Sequence, residues 1–196
     1  MIRTALSTLA AIAAAFSLSA CVVVTGSGTV ERDAPAAASA AERLPIDLRR
    51  TTLLVRDIET SLALYRDALG MEVSYDQMIT SRDGSSQSRL VLLKANDSMI
   101  GMLGLWELSD ASEAPAPSWG ERLAPGEIVL LFNTSDLDTV FLAAAGTEGV
   151  TVLSEPTYRE YPGDGVTYEV MVSMLRDPDG HIVELNNRLS PPLEWD

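Results

Sequence analysis

One spacing recurs along this chain and limits what it can fold into. The segment Asp57-Ile58-Glu59-Thr60 matches Asp136-Leu137-Asp138-Thr139, and the same offset sets Gly70 on Gly149 and Val73 on Val152. A second anchor aligns Leu93-Lys94 with Leu175-Arg176, Asp97 with Asp179, Ile100 with Ile182 and Leu103 with Leu185. Chance explains any one of these matches; an ordered set of them marks a duplicated unit.

Each copy opens with an apolar β-like run, at residues 51–55 and 128–132. An acidic helix start follows. Asp57 or Asp136 is placed to cap, and acidic charge in a first turn is favoured by the helix dipole. Ile58, Leu62, Tyr65 and Leu69 form one stripe at helical spacing; Leu137, Val140, Phe141 and Ala144 form the other. A glycine ends each helix, as expected of a left-handed C-terminal residue. Strands are expected at residues 72–76, 89–94 and 99–106, then at 150–154, 167–175 and 181–186. Each half is therefore one strand, one helix and three strands, an α+β class built from two βαβββ modules over about 48–107 and 126–189.

Two stretches carry a family resemblance. Val55-Arg56-Asp57-Ile58-Glu59-Thr60-Ser61-Leu62, with Tyr65 and Leu69-Gly70-Met71, resembles the vicinal oxygen chelate superfamily, which includes glyoxalase I, extradiol dioxygenases and bleomycin-resistance proteins. So does Arg176-Asp177-Pro178-Asp179-Gly180-His181, followed by Ile182-Val183-Glu184-Leu185. The resemblance spans about residues 48–188. It implies a curved mixed sheet around one cavity, with the helices outside.

It also implies four corners for a metal that chelates the substrate. Carried over, the corners on the first strands fall at Arg50 and Val129, and those on the last strands at Met102 and Glu184, with Gly104 replacing Met102 if the alignment shifts by two. Of these only Glu184 is a ligand type: arginine stays protonated, valine donates nothing and thioether sulfur suits this chemistry poorly. No family-type metal and no other cofactor is therefore expected. Arg50, Met102 and Glu184 become candidate ligand-binding residues instead. If Glu184 faces the cavity, Arg50 is its natural counter-ion; otherwise Glu184 is an ordinary strand residue, exposed or paired elsewhere. His181, the only histidine, reads as a turn residue rather than a ligand.

Other residues could build walls. Met78, Met99, Met102, Met171 and Met174 are numerous for a small domain, and adaptable side chains of this type suit either a core or a ligand face. Trp106, Trp119, Tyr158 and Tyr168 could add aromatic surface. Residues 158–165, with two glycines and a proline, read as a rim loop.

The N-terminus carries an address. After Arg3 comes an apolar run from residue 5 to 16, then Leu18-Ser19-Ala20-Cys21. A positive start, a short apolar stretch and small residues before a cut site form a secretory signal. The last four residues resemble the lipobox of bacterial lipoproteins, which implies a signal peptide over 1–20 and an acylated, palmitate-bearing Cys21. Residues 21–44 then read as the lipidated start of a flexible tether, and 45–196 as the domain. Val22 lacks the aspartate of inner-membrane retention, so the resemblance favours an outer-membrane, periplasm-facing location in a Gram-negative cell. The 28 acidic residues outnumber 14 Lys and Arg, and a net charge of -14 repels phosphate backbones and anionic lipid. Nucleic acid is excluded as a partner, and membrane attachment must be covalent or apolar.

Three functions fit this reading. The first is an envelope protein whose domain binds a small molecule without metal and without chemistry. The second is a glyoxalase I-like lyase or isomerase, and the third a non-catalytic adaptor. A homodimer is compatible with each. The lone cysteine generates a test: fatty-acid labelling of cells should mark the wild-type protein and leave Cys21→Ser unlabelled. Equal label on both would remove the anchor.

Overall fold

The computed structural model describes residues 46–115, 118 and 122–193. Cys21, the signal and tether segments and Trp119 lie outside the described residues. Both modules form. The first comprises β1 (Arg50–Val55), α1 (Ile58–Leu62), β2 (Glu72–Thr80), β3 (Gln87–Lys94) and β4 (Met102–Glu107). The second comprises β5 (Val129–Asn133), α2 (Leu137–Ala145), β6 (Thr151–Pro162), β7 (Thr167–Arg176) and β8 (Ile182–Ser190). Each builds a mixed four-stranded sheet, ordered β1-β4-β3-β2 and β5-β8-β7-β6. The first strand of each runs parallel to the last, and the other pairs are antiparallel.

The repeat is visible in local geometry. Asp57 caps α1 by accepting from Thr60 N, and Asp136 caps α2 by accepting from Thr139 N. Glu107 at the end of β4 supplies α1 with a second acceptor, at 2.9 Å from Ile58 N. Gly70 and Gly149 take φ of 75° and 80°, the left-handed region where a β-carbon is strained. The copies differ past the first turn, because α1 widens into a π-helix at Ala63–Ala68.

Strand alternation sorts the side chains. Leu53, Val55, Leu103 and Leu105 of the first sheet, and Val183 and Leu185 of the second, enter one core with Ile58, Leu62, Leu137 and Phe141 of the helices. That core is continuous across both modules. The opposite faces of the two sheets stay open.

Two expectations are corrected. Residues 99–101 turn before β4, with φ of 68° at Gly101, rather than extending that strand. Tyr158 to Pro162 belong to β6, so the expected rim loop shrinks to the turn before β7. Bulges near Ser154 let this long strand follow β7.

The modules are tied together around the turn between β7 and β8. Tyr65, fully buried, donates to Asp177 Oδ2 across 2.8 Å, and burial followed by the Asp177 charge raises its phenol well above the usual value. Asp177 Oδ1 accepts the backbone N–H groups of Asp179 and His181. Arg56 of the first module pairs with Asp179 at 2.8 Å. The His181 ring completes the cluster, with Nδ1 3.0 Å from Asp177 Oδ2.

Burial opposes a charge on this imidazole. The Asp177 hydrogen bond and the charges of Asp177 and Asp179 outweigh it, so the pKa is raised from its ordinary 6.5. A pKa higher in the folded state than in the unfolded one stabilises the fold below the unfolded value; that contribution is lost as pH rises through the folded value. Urea titrations should therefore show stability declining as pH rises past 6.5 and through the higher folded value. His181→Gln should flatten that slope, a clean test because the chain has one histidine. Equal slopes would show that the ring is indifferent to Asp177.

Candidate functional site

The candidate residues lie on the open faces and along the gap between β1 and β5. Arg50 begins β1, where its register partner on β4 is Met102. Since Leu53 and Val55 enter the core, Arg50, Thr52 and Leu54 face the other way. On β4 the same rule turns Met102, Gly104 and Trp106 to that open face. Leu92 on β3 stands opposite Gly104 and Leu90 opposite Trp106.

The gap is a cleft of about 230 Å³ lined by Leu48, Arg50, Met102, Val129 and Leu131, among others. Three of the four mapped corners, Arg50, Met102 and Val129, thus share one cleft. Met102 is 4% exposed and forms its apolar wall. Arg50 is exposed and has no hydrogen-bond or ion-pair partner among the described residues.

Glu184 is not among the residues that line the cleft, although its register partner Leu131 is. It lies on β8 between Leu131 of β5 and Met174 of β7. Its Oε1 accepts from Asn186 Nδ2 at 2.8 Å. No ion pair joins it to Arg50, so within one chain the structure does not bring the expected pair together. The reason is topological. Each corner sits on the open face of its own sheet, and the sheets meet along their β1 and β5 margins rather than face to face. Asn186 itself is 7% exposed, and its Oδ1 has no partner.

The other candidates scatter. Met171 packs against the core, whereas Met78 and Met99 are 58% and 54% exposed away from the cleft. Tyr168 stacks under the Arg188 guanidinium at 4.9 Å, and Tyr158 donates to Glu160 on the outer strand. Trp106 stays on the open face at 37% exposure. His181 is occupied by Asp177 in its turn, as a turn histidine would be. Thr52 and Gly104, register partners on β1 and β4, stand on the same face as Arg50 and Met102 but just outside the cleft's lining; sequence reasoning passed over Thr52 and weighed Gly104 only as an alternative metal corner. Alternation along β1 and the glycine within an apolar strand were the signals available.

The four corners do not fit a divalent metal. Two neutral aliphatic or thioether side chains, one guanidinium and a single carboxylate cannot form a coordination shell. Among the described residues, no group of three His, Cys, Asp or Glu side chains is arranged to hold a metal ion. No helix of the described residues is long and apolar enough to cross a membrane.

Comparison with known proteins agrees with this architecture. A glyoxalase family protein from Bacillus cereus is 14% identical, with a TM-score of 0.53 over 76% of this chain and 99% of that one. Glyoxalase I from Zea mays is 21% identical with a TM-score of 0.49 over 71% of this chain, which spans 45% of the maize chain. A glyoxalase/bleomycin resistance protein/dioxygenase family enzyme from Burkholderia phytofirmans is 20% identical with a TM-score of 0.45, covering 74% of this chain and 100% of that one. No curated protein matches. Residues 47–185 match the family model described as the Glyoxalase/Bleomycin resistance protein/Dioxygenase superfamily. The repeat, the paired βαβββ modules and this match agree: the chain belongs to the glyoxalase/bleomycin resistance protein/dioxygenase superfamily.

Proposed function

We propose that this protein binds a small molecule in the β1–β5 cleft without a metal, and that lipid on Cys21 holds it, facing the periplasm, to a membrane of the cell envelope. The carrying observation is the replacement of metal-ligand chemistry at the cleft by Arg50, Met102 and Val129, which leaves one cation against an apolar wall. Such a site can hold and orient a molecule, but it offers no Lewis acid. A glyoxalase I-like lyase would need a coordination shell that these side chains do not supply. An adaptor role would leave the cleft without purpose.

Elemental analysis of the purified full chain should find no stoichiometric transition metal. Its thermal midpoint should not move on adding chelator, because a metal bound only to the native state would stabilise it by mass action. One tightly held metal per chain would overturn the reading and restore the lyase.

A second copy is the partner we propose for the open sheet faces. Leu54, Trp106, Val129 and Leu131 are 57%, 37%, 40% and 53% exposed along them, an apolar surface of the kind that marks association. A facing copy would turn the open cleft into an enclosed one. Light scattering should give twice the chain mass at micromolar concentration; a monomer throughout would leave these faces to another partner.

A further inference from the structure

Gly104 is unlike most glycines of this fold. Gly70, Gly84, Gly101, Gly126, Gly149, Gly165 and Gly180 have positive φ and serve turns. Gly104 sits inside β4 without that conformation, where a glycine weakens a strand and often marks a close approach. The approach is from β1. A β-carbon at this position would lie 2.8 Å from Thr52 Oγ1, 3.2 Å from Thr52 Cγ2 and 3.4 Å from Arg50 Cδ. Both side chains lean over the glycine and occupy the space that a side chain there would take.

Neither side chain is otherwise engaged. The Arg50 guanidinium and the Thr52 hydroxyl have no hydrogen-bond partner among the described residues. The charge environment is also unusual. In a chain of net charge -14, the described residues lining the cleft include no Asp or Glu, and Arg50 is the only cation among them.

Resting on the proposed binding role of the cleft, we infer that Arg50, which lines the cleft, and Thr52, which stands just beyond that lining over Gly104 and next to the Arg50 side chain, form an anion site at the cleft's edge for a monocarboxylate with a compact apolar body. A guanidinium presents a planar fork that matches the two oxygens of a carboxylate, and the hydroxyl adds a third donor. Phosphate fits less well. Its second charge would meet no second cation in the lining. The apolar body would lie along Met102, Val129 and Leu131. At about 230 Å³ the cleft is smaller than the roughly 300–1,000 Å³ of sites for drug-sized ligands, so the body must be short.

The test uses the full chain in nanodiscs, with empty nanodiscs as the blank, and three probes of one chain length: hexanoate, hexyl phosphate and 1-hexanol. Calorimetric titration should rank hexanoate tightest. Arg50→Met should weaken hexanoate about tenfold or more, the usual scale for losing a hydrogen bond to a charged group, and leave 1-hexanol unchanged. Arg50 is exposed, so this variant should fold; an unchanged thermal midpoint checks that. Thr52→Val keeps the shape and should weaken hexanoate by a smaller factor. Gly104→Ala should also weaken it, because the new methyl forces the Thr52 hydroxyl aside. If hexanoate and 1-hexanol bind equally, and Arg50→Met changes neither, the anion site is wrong while the cleft stands as an apolar binding site. If none of the three binds, both the anion site and the binding role of the cleft fall.

Discussion

A carboxylate with almost no contact with water holds the two halves of this protein together. Asp177 is 2% exposed, and it meets the Tyr65 hydroxyl, two backbone N–H groups and the His181 ring. Burying a charge is costly unless its lone pairs are filled, and removing a partner from such a site typically costs about 3–5 kcal/mol. Here every donor has a fixed source. Two are backbone groups of the carboxylate's own turn and a third partner is the His181 ring, so the sequence Asp177-Pro178-Asp179-Gly180-His181 organises most of the site locally. The fourth, Tyr65, comes from the other module and can reach only if the helices of both modules pack into one core. Local turn chemistry and long-range packing thus depend on one another, and the Arg56–Asp179 pair beside them reinforces the same joint.

This joint decides what the sheets can do. It lies on the core side, with Tyr65 3 residues beyond Leu62 and its ring 6.4 Å from Phe132 of β5. Packing of both helices on that side leaves the other sheet faces uncovered. Positions that the family resemblance groups around one metal are then divided. Arg50, Met102 and Val129 gather at the β1–β5 gap, while Glu184 stays on β8 with Asn186.

Much of the fold was legible because the features that define it are local or periodic. Asp57 and Asp136 announce helix starts through capping chemistry, and Gly70 and Gly146 mark their ends. The apolar stripes give the buried faces, and Ile58, Leu62 and Leu137 are all under 5% exposed. Periodicity could not give the length of β6. Residues 158–162 look like a loop by composition, yet pairing with β7 extends them. It also could not place Arg50 relative to Glu184, because that distance depends on how two modules dock. The Arg56–Asp179 and Tyr65–Asp177 contacts belong to the same class, joining residues more than 100 positions apart. The function of Gly104 was hidden for a different reason. A glycine in a strand is ambiguous until its φ and its neighbours across the ladder are known.

The cleft itself has an uneven mechanical support, and this bears on how it could accept a ligand. Arg50 and Met102 are fixed to one another by the β1–β4 ladder, and Val129 is fixed to Ile182 by the β5–β8 ladder. No ladder joins β1 to β5, which belong to different sheets. The width of the gap is therefore set by side-chain packing in the core beneath it and by the Asp177 joint, not by main-chain hydrogen bonds across it. Packing contacts are individually weak and can shift by small amounts, whereas breaking a strand pair exposes unpaired backbone groups. A molecule entering between Arg50 and Val129 can spread the gap without disturbing either sheet. In a metal-centred site a bound cation would hold opposing corners at fixed bond lengths. With an arginine, a methionine and a valine in their place, the walls of the proposed site can adjust to the shape of the ligand, and the directional contacts that remain are the Arg50 guanidinium and the Thr52 hydroxyl.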